Sequence, residues 1–178
     1  MEHKIFFTSD THFSQQRTLE LSRRPFINID EMDDELIKRW NEQVGDNDFV
    51  YHLGDFGNPD KIIQLNGDGI YLLKSKDYDV DIKFDDDRVN VLESGTRIKL
   101  EDKEFIMIHA PEDGYEYEDD SNLFYLFGHI HKAQMIKRNG INVGVDCHNF
   151  TPIDIETILF YRNAIENHYD ENVFMDTI

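Results

Sequence analysis

Short apolar runs separated by polar turns dominate the chain, and their spacing distinguishes strands from helices. Lys4 to Thr8 reads as a first buried strand followed by a polar loop carrying Arg17, Arg23, Arg24 and Pro25, Phe49 to Leu53 reads as a second strand and Ile70 to Leu73 as a third. Between the first two, Ile29, Met32, Leu36, Ile37, Trp40 and Val44 recur at helical spacing. Asn28 or Asp30 caps that helix, with acids in the first turn, where the helix dipole favours them. Pro59 to Leu65 reads as a short helix stopped near Gly67. From Val89 the pattern changes: Val89 to Leu92, Arg97 to Leu100 and Phe105 to Ile108 are strands joined by tight turns, and Phe124 to Phe127 is another buried strand. Asn139 and Gly140 supply the dipeptide of a two-residue hairpin turn. Asp154 caps a closing helix through Ile155, Ile158, Leu159 and Ile165. Strand and helix alternation followed by hairpins predicts an α/β fold with two packed sheets flanked by helices.

The length of 178 residues suits a single domain, 1–178, and neither a linker nor an internal repeat divides it. Asp and Glu number 37 against 18 Lys and Arg, for a formal net charge of −19. Such a surface repels a phosphate backbone, because binding to long nucleic acid depends on Lys and Arg releasing condensed counterions. One cysteine, Cys147, excludes an intramolecular disulfide. There is no signal-peptide pattern and no apolar segment long enough to span a membrane, so the expectation is a cytoplasmic protein without a membrane partner.

The polar residues at the ends of the apolar runs change this picture most. Asp10 and His12, Asp55, His109, and His129 with His131 each sit one to a few residues beyond a predicted strand. Ligands collect at the carboxyl ends of strands in layered α/β folds, so these six residues should meet. If the backbone stays extended, Asp-x-His and His-x-His each place both side chains on one side and can chelate. Imidazole mixed with carboxylate suits Mn, Fe, Zn, Co or Ni better than Ca or Mg. Arg17 and Arg24 are candidate phosphate-binding groups together with Arg23, although Arg24, in "RPF", equally suits a brace beneath the loop. His52 suits a supporting role, Cys147 and His148 pack near the rim, and His3 and His168 read as surface residues.

The blocks "SDTHF", "RPF", "YHLGDFG", "LNG", "IMIHAP", "FGHIH" and "INVGVD" span nearly the whole chain. In them the sequence resembles the calcineurin-like metallophosphoesterase family, especially its small bacterial and phage-type members. The resemblance implies a four-layer α/β/β/α sandwich of two mixed sheets flanked by helices. It also implies that Asp10, His12 and His131 hold one divalent metal, that Asp55 bridges, and that His109 and His129 hold a second. The implied reaction is hydrolysis of a phosphate ester by a hydroxide on a two-metal centre.

One stretch departs from that family. In "LLKSKD", Lys74, Ser75 and Lys76 stand where the family has Gly, a metal-binding Asn and a proton-donating His. Ser75 becomes a short, neutral candidate ligand, which predicts a weaker second metal site. Lys76 joins Asp55 as a candidate catalytic residue, a point cation facing phosphate, or else is solvated beside the acidic run that follows, which reads as a solvated loop. The expected activity is a metal-dependent phosphoesterase acting on a small phosphodiester or nucleotide. The alternative is a catalytically weakened metal-binding scaffold or a nucleotide-sensing domain of the same fold.

Overall fold

The computed structural model describes residues 3–76, 79, 81–117, 123–137 and 139–168. Two five-stranded sheets form its frame, and both are mixed. In the first, β1 (Ile5–Thr8), β2 (Phe49–His52), β3 (Gly69–Leu73) and β4 (Val89–Leu92) run parallel. Its other edge is closed by β10 (Ile153–Asp154), antiparallel to β1. The second sheet has the order β5-β6-β7-β9-β8, built from β5 (Thr96–Leu100), β6 (Lys103–Met107), β7 (Phe124–Phe127), β8 (Ile136–Lys137) and β9 (Gly140–Asn142). Its three central strands are parallel.

The strand period of two divides neighbouring residues between layers. Phe7 and Leu73 of the first sheet meet Phe105, Met107, Leu126 and Ile141 of the second in a shared core. Phe6, Val50, Ile70 and Leu72 face the other way, under Met32, Leu36 and Trp40 of α2 (Ile29–Gln43). Burying each such large side chain contributes roughly 1.5–3 kcal/mol. The helix starts where its cap chemistry predicts, with the Asn28 side chain accepting from the Glu31 N–H at 2.9 Å. Asp154 likewise accepts from the Thr157 N–H and opens α3 (Ile155–His168), whose Ile158 and Ile165 close the inter-sheet core.

The expected α/β sandwich is therefore present, with its outer layers built unevenly. The outer face of the second sheet, formed by Ile106, Tyr125 and Phe127, lies against a 3-10 turn, Pro111–Tyr117, rather than a long helix. The Tyr125 hydroxyl donates to the Gly114 carbonyl of that turn.

Two local expectations need correction. Residues taken as a loop after β1 include a short helix, α1 (Gln16–Leu21), which has no side-chain cap and buries only Thr18 and Leu19. It thus leaves no apolar period in the sequence. The β8-β9 hairpin pairs Lys137 with Gly140, so Gly140 belongs to the strand and not to the turn. The position takes glycine because a Cβ there would stand 2.7 Å from the Tyr125 carbonyl oxygen of the neighbouring strand. No helix among the described residues is long and apolar enough to cross a membrane.

Candidate metal centre

Past their last strand residues, the two sheets turn their loops toward one another. The loop after β1 continues its ladder onto the loop after β2: Asp10 N–H donates to Gly54 O, His12 N–H to Asp55 O and Phe13 N–H to Phe56 O, at 3.0, 2.9 and 2.8 Å. Within this frame the backbone is not extended. Asp10, His12, Asp55, His129 and His131 all adopt left-handed conformations, with φ between 47° and 69°. The pairs Asp10/His12 and His129/His131 therefore converge through turns, and the extended spacing expected from sequence is corrected. Non-glycine residues held this way cost of order 1–3 kcal/mol each and cluster at functional sites.

Six side chains meet in two groups, Asp10 with His12 and His131, and Asp55 with His109 and His129. Within each, one ligand atom per residue lies within 4.8 Å of the others. Each group takes residues from both sheets, since Asp10, His12 and Asp55 follow strands of the first and the other three histidines follow strands of the second. Asp55 joins the groups: its Oδ2 is 3.3 Å from His12 Nε2 and 3.4 Å from His109 Nε2. Asp10 is fixed by the His129 N–H, at 2.9 and 3.0 Å from its two oxygens. Gly144 leaves room for this carboxylate, because a Cβ there would approach Asp10 Oδ2 to 2.7 Å.

Neighbouring acceptors set the imidazoles. His12 Nδ1 lies 2.6 Å from Gln15 Oε1, His109 Nδ1 2.7 Å from Leu53 O, and His131 Nδ1 2.7 Å from Asp146 Oδ2. Each acceptor requires Nδ1 to donate, which turns Nε2 toward the centre. Burial opposes charge on His109, but the Asp55 hydrogen bond and the nearby carboxylates outweigh it and raise its pKa to about 9. Burial likewise opposes the Asp55 charge, yet His109 and the Ser75 hydrogen bond lower that carboxyl to about 2. For His12 burial prevails over Asp10 and Asp55 and lowers the pKa.

The Asp55 Oδ1 is buried and has no hydrogen-bond partner among the described residues. An orphaned oxygen on a carboxylate whose other oxygen faces the His12 and His109 imidazoles fits a divalent transition metal.

The remaining predicted residues divide clearly. Arg24 is corrected from substrate binding to bracing. It is 5% exposed, donates to Thr11 O and Asp10 O at 2.8 and 2.6 Å, and pairs with both oxygens of Asp146. Asp146 therefore links Arg24 to His131, and their bonds overcome burial to lower its pKa to about 2. Ser75 is buried and hydrogen-bonds the Asp55 carboxylate, while Lys76 lies at the rim with its side chain 75% exposed and paired with Asp113 at 3.0 Å. Arg17 is exposed along a cleft of about 490 Å³ that opens from His12, Asp55, His129 and His131. His52 Nε2 lies 3.0 Å from the Thr11 hydroxyl, whose own proton goes to Phe56 O. Nε2 must therefore donate, and burial lowers the His52 pKa to about 3. Cys147 Sγ donates to His131 O, and burial pushes the thiol up to about 11, so Cys147 and His148 form no reactive pair.

Sequence reasoning missed Asp79. The acidic run after Lys76 was expected to be solvated, and Asp77 lies outside the described residues, but Asp79 is fully buried. Its Oδ2 accepts the N–H of Asp55 at 2.6 Å and of Ser75 at 3.2 Å, and its Oδ1 that of Phe56 at 3.3 Å. It thus fixes the left-handed turn that aims Asp55. Asp79→Ala is expected to weaken metal binding by roughly 10- to 100-fold, as loss of an outer partner commonly does. Asp79→Asn, which keeps one acceptor, should recover part of it. Metal titration of both variants checks this, and unchanged affinity in Asp79→Ala would refute the role.

No family model matches the chain. It is 32% identical over 171 residues to the uncharacterised protein MJ1445 of Methanocaldococcus jannaschii, covering 88% of this chain and 89% of that protein. The crystal structure of the protein of unknown function AQ665 from Aquifex aeolicus matches with a TM-score of 0.66 at 18% identity, over 90% of this chain and 100% of that one, a likeness of fold alone. Vacuolar protein sorting 29 from Cryptosporidium parvum gives a TM-score of 0.46 at 13% identity, over 79% and 72% of the two chains.

Proposed function

This chain belongs to the family of the uncharacterised protein MJ1445 of Methanocaldococcus jannaschii, and we propose that it is a metal-dependent phosphoesterase with a two-metal centre. The observation that carries the reading is the position of Asp55, whose Oδ2 lies 3.3 and 3.4 Å from imidazoles of the two ligand groups. A carboxylate so placed suits a bridge between two cations. Asp10, His12 and His131 would hold one, His109 and His129 the other, with Mn, Fe, Zn, Co or Ni suiting the donors. The resemblance to calcineurin-like metallophosphoesterases names the same residues. When bound, the metals would polarise a phosphate ester and make water acidic enough to attack it.

The protein's own residues orient this chemistry. Gln15, Leu53 O and Asp146 fix the imidazoles, and Asp79 and Ser75 fix Asp55. A net charge of −19 favours a small phosphodiester or nucleotide over long nucleic acid. Exposure of Lys76 and its pairing with Asp113 favour a second reading, in which metal is bound without efficient turnover.

The test is hydrolysis of bis-p-nitrophenyl phosphate by chelated protein to which each metal is returned. Turnover is expected only with metal, and titration should show two steps, the tighter at Asp10, His12, Asp55 and His131. At a metal concentration 100 times the Kd, the native state gains about 2.7 kcal/mol, read as a higher Tm. Two binding steps without turnover would establish the second reading; no binding would refute both.

A further inference from the structure

Cations in this protein are outnumbered two to one, 18 against 37 acids, and most of those described are neutralised. Arg24 pairs with Asp146, Lys61 with Asp33, Arg88 with Asp86 and Arg162 with Glu166. The cleft beside the metal centre breaks this pattern. Arg17, Arg23 and Lys132 line it, and none of them forms an ion pair with a carboxylate among the described residues. Among the described residues the Lys132 ammonium reaches the Arg23 carbonyl oxygen, at 3.5 Å.

The three come from separate places: Arg17 from α1, Arg23 from the left-handed turn after it, and Lys132 from the residue after His131. Apart from Asp55, no acid among the described residues lines the cleft. Unneutralised cations gathered in one concave wall of so acidic a protein create a local field opposite in sign to the surface, which selects anions. The cleft's volume, about 490 Å³, is that of a small-ligand site.

We infer that the substrate carries a second phosphate, distinct from the one under attack, and that Arg17, Arg23 and Lys132 bind it. This rests on the proposed phosphoesterase reading. The exposed side of Leu21, on the same wall, offers an apolar surface to the organic part joining the two phosphates.

The experiment compares adenosine 3′,5′-bisphosphate with adenosine 5′-monophosphate, which differ only by the second phosphate. Both are measured as inhibitors of bis-p-nitrophenyl phosphate hydrolysis by the Mn-loaded protein, at fixed free metal. The bisphosphate should inhibit at least about 10-fold more tightly, each exposed cation contributing a factor of roughly two to five. The ratio should shrink stepwise in Arg17→Ala, Arg23→Ala and Lys132→Ala and approach one in the triple variant. Taking the ratio within each variant cancels any loss of folded protein. Equal inhibition in the wild type, with hydrolysis intact, overturns the second-phosphate inference and leaves the phosphoesterase reading standing. If no hydrolysis occurs, that reading falls and the second phosphate as part of a substrate falls with it, and calorimetric binding of the two nucleotides to the Mn-loaded protein then decides by the same ratio whether the three cations hold a second phosphate of a bound ligand.

Discussion

Asp55→Asn is expected to abolish metal-dependent hydrolysis and to remove both steps of the metal titration, although the substituted side chain has nearly the same shape. The loss should exceed the roughly 100-fold that removal of an outer-shell partner reaches. An amide lacks the charge to serve two cations and offers one acceptor oxygen where the carboxylate offers two. The buried Oδ1, without a partner among the described residues, marks the position at which that difference acts. The substitution also separates two effects in chelated protein. His109 is raised to about 9 by Asp55, so their interaction stabilises the fold fully below the ordinary histidine value of 6.5 and is lost as pH rises through about 9. Wild type should therefore lose Tm across that window in the presence of chelator, and Asp55→Asn should lose less, keeping only the part that the Asp10 charge and the Leu53 carbonyl support. Hydrolysis that survives both chelation and Asp55→Asn would rule out the two-metal reading.

The second large effect is one of stability. Arg24→Ala should destabilise the protein by about 3–5 kcal/mol, the usual result of leaving half of a buried ion pair. At this chain length that lowers Tm by roughly 6–20 °C. The guanidinium serves Thr11 O, Asp10 O and both Asp146 oxygens, so its loss strands three of these acceptors around the Asp10 loop and leaves Asp146 Oδ2 with His131 alone. Arg24→Lys should recover little, since an ammonium cannot reproduce a planar fork. Because Asp146 orients His131, the same variants should weaken the Asp10, His12 and His131 group before the other. A Tm within about 2 °C of wild type for Arg24→Ala, the effect of an ordinary surface substitution of about 0.5 kcal/mol, would sink the brace.

What the sequence made legible followed from two periodicities and one chemical habit. Apolar runs located the strands, helical spacing located α2 and α3, and Asp or His just beyond four strand ends located the six converging side chains. The missing parts have physical reasons. Left-handed backbone at Asp10, His12, Asp55, His129 and His131 has no marker when the residue is not glycine. Asp79 lies in a run of acids whose composition speaks for solvent, and only the fold folds one of them under β2's loop. Arg24 and Asp146 are distant in sequence, and neither residue type alone distinguishes a brace from a substrate contact.

The division of each ligand group between the two sheets bears on how the molecule comes apart. The seam between the sheets is otherwise closed by undirected apolar packing, in a core that includes Leu73, Met107 and Leu126. Ions held by Asp10 and Asp55 on one side, and by His109, His129 and His131 on the other, would act as rivets across one end of that seam. Chelation would then matter most to the rate of opening rather than to the secondary structure within either half, leaving a hinge where the loaded protein has a fastened edge.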